Sequence, residues 1–197
     1  MTRSAALWRP VAHGAALVGI LAVAALVLHS TPDRELQHSP FRVQGSVGEP
    51  TSGRNILATV HSATRAEAVT AGNGWAGGTP GVWVVIDLSV QNVVDDVGAG
   101  VGTAVLRVGD TRFSASTRPD RATVAGMGLA TGIPLSGPLF FELPDDVASS
   151  PDAANAVLEL AANSDPRVDS MLSIPVDLLD DAVLATLDTD FPEWGAR

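Results

Sequence analysis

His61 is the one histidine of this chain outside the apolar N-terminal run and the polar stretch after it; the others are His13, His29 and His38. A Ser-His-Asp relay would have to use it, because that chemistry needs an imidazole to take the serine proton while a carboxylate fixes its tautomer. His61 lies in a strand-like run with no Gly-x-Ser-x-Gly elbow nearby, so it is read as a strand residue and not as a base. The acids come in pairs: Asp95-Asp96, Asp145-Asp146 and Asp180-Asp181, with Asp188-Thr189-Asp190 further on. Carboxylates are hard ligands suited to Ca²⁺. Loops at one end of a sandwich would bring Asp95 and Asp96 to Asp145 and Asp146, which makes these four the candidate metal ligands. No run has EF-hand spacing, and the competing reading is solvated turn acids. A glycosidase also needs two acids, but nothing selects a pair, and 5% aromatic content argues against a sugar-stacking cleft.

Other constellations weaken on inspection. Trp75 and Trp83 would form either a ligand surface or a packed patch under a loop. Arg112 and Arg118 flank Phe113 and have Asp110 and Asp120 as neighbours for surface ion pairs. Gly98-Ala99-Gly100-Val101-Gly102 suggests a nucleotide loop, but the third required glycine falls on Thr103 and a strand follows where a helix is needed. His29 and His38 read as linker polarity. The chain has no Cys, and its twelve basic residues are all Arg. Disulfides, thiolate metal sites, thiol nucleophiles, phosphate-loop lysines and Schiff bases are therefore excluded. No cofactor is expected.

The elements that would position these residues divide the 197-residue chain unevenly. Val11–Leu28 is an uncharged apolar run of 18 residues. As a helix it spans about 27 Å, close to the hydrocarbon thickness of a bilayer. Val11, Leu17, Ile20, Leu21, Val23, Leu26 and Leu28 are its anchor residues, and Trp8 suits the headgroup zone. Arg3 and Arg9 precede the run, whereas Asp33, Arg34 and Glu35 follow it. The positive-inside rule then keeps residues 1–10 in the cytoplasm and exports the rest across a single-pass cell-membrane anchor. A cleaved signal peptide is the competing reading, and it too exports the domain. Residues 29–40, with Pro32 and Pro40, read as a linker.

From residue 30 onward the chain carries ten Arg against twenty-two acids, a net charge of −12. Such a domain repels nucleic acid, which is excluded as a partner. Residues 41–178 read as seven to eight short strands separated by turns. Val82–Gln91 is the clearest: Val82, Val84, Ile86, Leu88 and Val90 share one face, and Trp83, Val85, Asp87, Ser89 and Gln91 the other. Gly77–Gly81 before it reads as a loop. Gly109-Asp110 between two alternating runs signals a hairpin. Pro175 lacks an amide donor, which places the 171–178 strand at an edge. The fold expected is all-β, an immunoglobulin-like antiparallel sandwich preceded by one transmembrane helix. Residues 179–197 read as an acidic tail in which Leu179, Val183 and Leu187 fit a short amphipathic helix.

The pieces resemble a known group. Phe41–Val47 is followed by the long strand from Trp83 to Asn92. The hairpin Gly109-Asp110-Thr111-Arg112-Phe113 comes next, and then Gly137-Pro138-Leu139-Phe140-Phe141-Glu142-Leu143-Pro144. This order over residues 41–178 resembles the DUF4352 and telokin-like families of bacterial exported domains, the MPT63-like immunoglobulin-like group. The segment VVDDVGAGVG after Asn92 departs from the short polar turn of that pattern. The resemblance implies an immunoglobulin-like sandwich, and it supplies no catalytic residues. The functional expectation is a membrane-anchored extracytoplasmic domain that binds or assists an envelope protein without catalysis. The alternative is an exported domain that binds a small ligand or Ca²⁺.

Overall fold

The computed structural model describes residues 5–30, 39–94, 100–167 and 169–195. It divides into two units, Met1–Ser39 and Pro40–Arg197. The first holds helix α1 (Ala5–Ser30). Its stretch Ala12–His29 has a mean hydropathy of 2.0, and none of its residues is buried within the protein. A helix apolar on every side presents no face to water, and this one is long enough to cross a bilayer.

The second unit is a two-sheet sandwich. One sheet contains β1 (Phe41–Gln44), β5 (Thr103–Val108), β6 (Thr111–Ser114), β8 (Ala156–Ala161) and β9 (Ser170–Val176), in the order β1-β9-β8-β5-β6. The other contains β3 (Leu57–Thr70), β4 (Ala76–Gln91), β7 (Leu135–Leu143), β10 (Leu184–Asp188) and β11 (Glu193–Trp194), in the order β10-β3-β4-β7-β11. The short β2 (Thr51–Ser52) pairs with β3. Period-two alternation places Leu158, Leu160, Leu172, Ile174 and Leu106 of the first sheet against Val84, Ile86, Leu88, Leu139 and Phe141 of the second in one core. Most pairings are antiparallel as expected, but β1 on β9 and β10 on β3 are parallel.

The Gly109-Asp110 hairpin joins β5 and β6, with Gly109 at φ +55° supplying the left-handed turn. β9 is not an edge strand, because β1 flanks it through residue 173. The Ser173 carbonyl accepts from the Gly45 amide on the β1 side. By the same period Pro175 turns its donorless nitrogen to that side, where β1 has ended, so a local edge satisfies the proline.

Two further expectations give way. Gly77–Gly81 is not a loop: it belongs to β4. Ala66 pairs with Trp83 and Ala68 with Gly78, so residues 79–82 of β4 stand against Glu67 alone. This wide irregularity bends the β3–β4 hairpin back over its own sheet. The bend creates a second core on that sheet's outer face, made of Ala66, Val69, Ala71, Trp83, Val85, Ala122 and Phe140, with Trp75 and Leu187 packed against it. Gly81 permits the bend, since a Cβ there would lie 2.1 Å from the Leu143 carbonyl oxygen. Finally, the described part of the tail, residues 179–195, forms no helix; it contributes β10 and β11 to the sheet.

Candidate functional site

The four candidate metal ligands do not form a described site. Asp95 and Asp96 lie outside the described residues. Asp145 and Asp146 are exposed and open the four-residue helix α2 (Asp145–Ala148), where carboxylates favour the positive end of the backbone dipoles. Among the described residues no three His, Asp or Glu side chains gather as a metal would need. Arg65 of β3 closes this end of the sandwich by donating to the Ala148 carbonyl at 3.2 Å and the Asp181 carbonyl at 2.8 Å.

His61 has a serine partner after all. Its Nε2 lies 2.8 Å from Ser89 Oγ, which lies 2.7 Å from Ser136 Oγ. The chain borders a depression of about 320 Å³ lined by Leu57, Thr59, Gln91 and Pro134 among others. The geometry does not suit acyl transfer. Ser89 sits mid-strand, paired with Thr59 on one side and Ser136 on the other. The amides around it are committed to the ladder, so they cannot converge on an oxyanion as a strand-to-helix elbow allows.

The tryptophans pack. Trp75 meets Trp83 edge-on with centroids 5.6 Å apart, and Phe140 at 6.1 Å. The Arg118 guanidinium lies 5.4 Å and 5.6 Å from the two indole centroids and pairs with Glu142 at 3.3 Å. Glu142 also accepts from Thr79 Oγ1 at 2.6 Å. Arg118 therefore pairs with Glu142 and not with Asp120. Its cation–π contacts contribute about 0.5–1 kcal/mol each at such a partly exposed position.

Among the described residues, three ion pairs converge on the outer face of the β1-β9-β8-β5-β6 sheet. Glu159 alternates with Leu158 and Leu160 of the core, so it points away from the core, yet its side chain is 0% exposed. Arg42 Nη1 lies 2.6 Å from its Oε1, Arg107 Nε 3.7 Å from the same oxygen, and Arg112 Nη2 2.6 Å from Oε2. Arg112 thus reaches across β5 to Glu159 and does not pair with Asp110. The aliphatic stems of three arginines cover what would be a solvated carboxylate. Three guanidiniums on one buried glutamate leave a net positive cluster on a strongly acidic domain. The only sequence signal was positional: Arg42, Arg107, Arg112 and Glu159 all fall on the outward parity of their strands.

No protein-family model matches the chain. No curated protein matches either. Among solved structures, a "putative lipoprotein" from Staphylococcus aureus is similar at 11% identity and TM-score 0.44, over 73% of this chain and 96% of that one. An uncharacterised β-sandwich protein from Clostridium difficile is similar at 11% identity and TM-score 0.42, over 73% of this chain and 99% of the other.

Proposed function

We propose that this protein is a membrane-anchored, extracytoplasmic binding or accessory domain that acts by surface recognition and not by catalysis, in the manner of the DUF4352 and telokin-like group it resembles. The observation that carries the reading is the pairing of two units of opposite solvent preference. One is the exposed, strongly hydrophobic stretch Ala12–His29, which holds no Asp, Glu, Lys or Arg, and the other is a sandwich with its own buried core. Leu17, Ile20, Leu21, Val23, Leu26 and Leu28 are all exposed in the helix; in the proposed topology they face lipid, with Arg3 and Arg9 in the cytoplasm. The tether holds the sandwich near membrane partners and raises their effective concentration.

The test is crosslinking of the full-length protein in cells, then membrane purification and mass spectrometry. Recovery of one envelope protein in near-stoichiometric amount supports an accessory role. Recovery of the protein alone overturns it. Intact mass from the same fraction reports whether α1 is retained, and loss of the N-terminal segment would replace the anchor with a cleaved signal.

A further inference from the structure

We infer that the Arg42–Arg107–Arg112 face is the docking surface of this domain and that its occupant is an acidic polypeptide segment of the envelope partner. The inference rests on the binding-domain reading and names the chemistry of its partner.

The arginines are held in place and remain available. Glu159 is fully buried and draws all three toward one point, yet their side chains keep 44%, 36% and 51% of their exposure. Each guanidinium carries five N–H donors, and one carboxylate with two oxygens can take only a fraction of them. Arg107 spends one more on the Gly109 carbonyl, at 3.2 Å. The remaining donors are planar forks of the kind that grip carboxylates in pairs. Because the buried anion has already fixed the arginines, an incoming ligand bears less of the ordering cost.

The surroundings favour a polypeptide over a bare polyanion. The same face presents half-buried Val105 and Val157 and exposed Pro175 beside the arginines. Apolar side chains interleaved with arginine suit a protein interface. The outer face of the other sheet is partly covered, since the second core of the bent hairpin lies on it with Trp75 and Leu187 packed against that core. The acidic remainder of the domain selects against acidic partners elsewhere on its surface. At about 0.15 M salt the screening length is about 8 Å, so the cluster acts locally.

The experiment measures fluorescence anisotropy of a short labelled polyglutamate peptide against full-length protein in a neutral detergent, at physiological salt. Saturable binding is expected, weakened about tenfold or more by Arg42→Gln with Arg112→Gln. Arg121→Gln, an exposed arginine outside this cluster, should leave binding unchanged. Circular dichroism melts check that the double variant is folded. If it is not, Arg42→Lys with Arg112→Lys keeps the charge and removes the forks, and binding should still fall. Three results overturn the proposal: no saturable binding, equal loss with Arg121→Gln, or tighter binding of inorganic polyphosphate through the same arginines. Concentration-dependent dimerisation abolished by Arg112→Gln would also overturn it, by making a second copy the occupant. Any of these can occur while crosslinking still recovers an envelope partner, which separates failure of this surface from failure of the binding role.

Discussion

Trp75 and Trp83 stand edge to face with ring centroids 5.6 Å apart, although eight residues separate them along the same hairpin arm. In a straight strand that separation would be about 27 Å. The contact is the signature of the bend in β4, and it closes the second core over Phe140 and Val85. Local sequence sets the bend. Pro80 cannot donate to a ladder, and Gly77 gives room for the Trp75 ring, which a Cβ there would meet at 2.3 Å.

The glycines of this bend are not equivalent. A Cβ at Gly81 would strike the Leu143 carbonyl oxygen, whereas one at Gly78 meets nothing within 4 Å. Gly81→Ala should destabilise the sandwich by about 2 kcal/mol or more, because backbone on both sides must move. Gly78→Ala should stay within about 0.5 kcal/mol of the parent. Urea titrations of the two variants check this, and equal effects would dismiss the backbone contact as the cause.

Leu187 separates the strand from the helix that the sequence suggested for residues 179–197. A helix with Leu179, Val183 and Leu187 on one stripe would make Val183 and Leu187 equivalent. In β10, Leu187 packs against the second core while Val183 precedes the strand and is 39% exposed. Leu187→Ala should cost about 1–2 kcal/mol and Val183→Ala less than about 0.5. Thermal melts of both decide it, with the larger change expected to move Tm by about 2–8 °C. The periodicity of Val82–Gln91 was legible because burial on one face writes itself into alternation. The C-terminal strands were not, because their partners, Ala66–Thr70 and Leu135–Ser136, lie about 50 to 120 residues away and the local acidity resembles a solvated tail.

The surface ion pairs tell a similar story at shorter range. Arg167 donates to Asp165 through Nε at 2.8 Å and 3.0 Å, a fork that two residues of local sequence suffice to build. The Arg167 hydrogen bonds hold the Asp165 carboxyl below its ordinary value of 3.8. A carboxyl lowered in the folded state favours folding above its unfolded value, and that contribution disappears as pH falls through the folded one. Both groups are fully solvated, so water screens the pair and the stability near pH 7 should not change with Arg167→Gln. A carbon-detected NMR titration should show Asp165 titrating low in the parent and returning toward 3.8 in that variant. An unchanged midpoint would show that the fork does not persist in solution.

Glu159 is the part of the candidate site that no local reading finds. In Ala156–Ala161 it has the parity of a solvated residue, and its burial is imposed by Arg42, 117 positions away, together with Arg107 and Arg112. Desolvating a carboxylate costs several kcal/mol, offset here by two ion pairs at 2.6 Å. Glu159→Ala should therefore destabilise the protein by about 2–4 kcal/mol, at the lower end because the half-exposed guanidiniums regain water. Arg112→Gln alone should cost less, since Arg42 still pairs with Glu159. In the double variant the two losses should fall short of additive by about 1 kcal/mol or more, the mark of side chains sharing one interaction. A denaturation cycle over the parent, the two single variants and the double variant measures that coupling. Strict additivity would mean that Glu159 stabilises the sheet without Arg112, and that the guanidinium array is not fixed by the carboxylate beneath it.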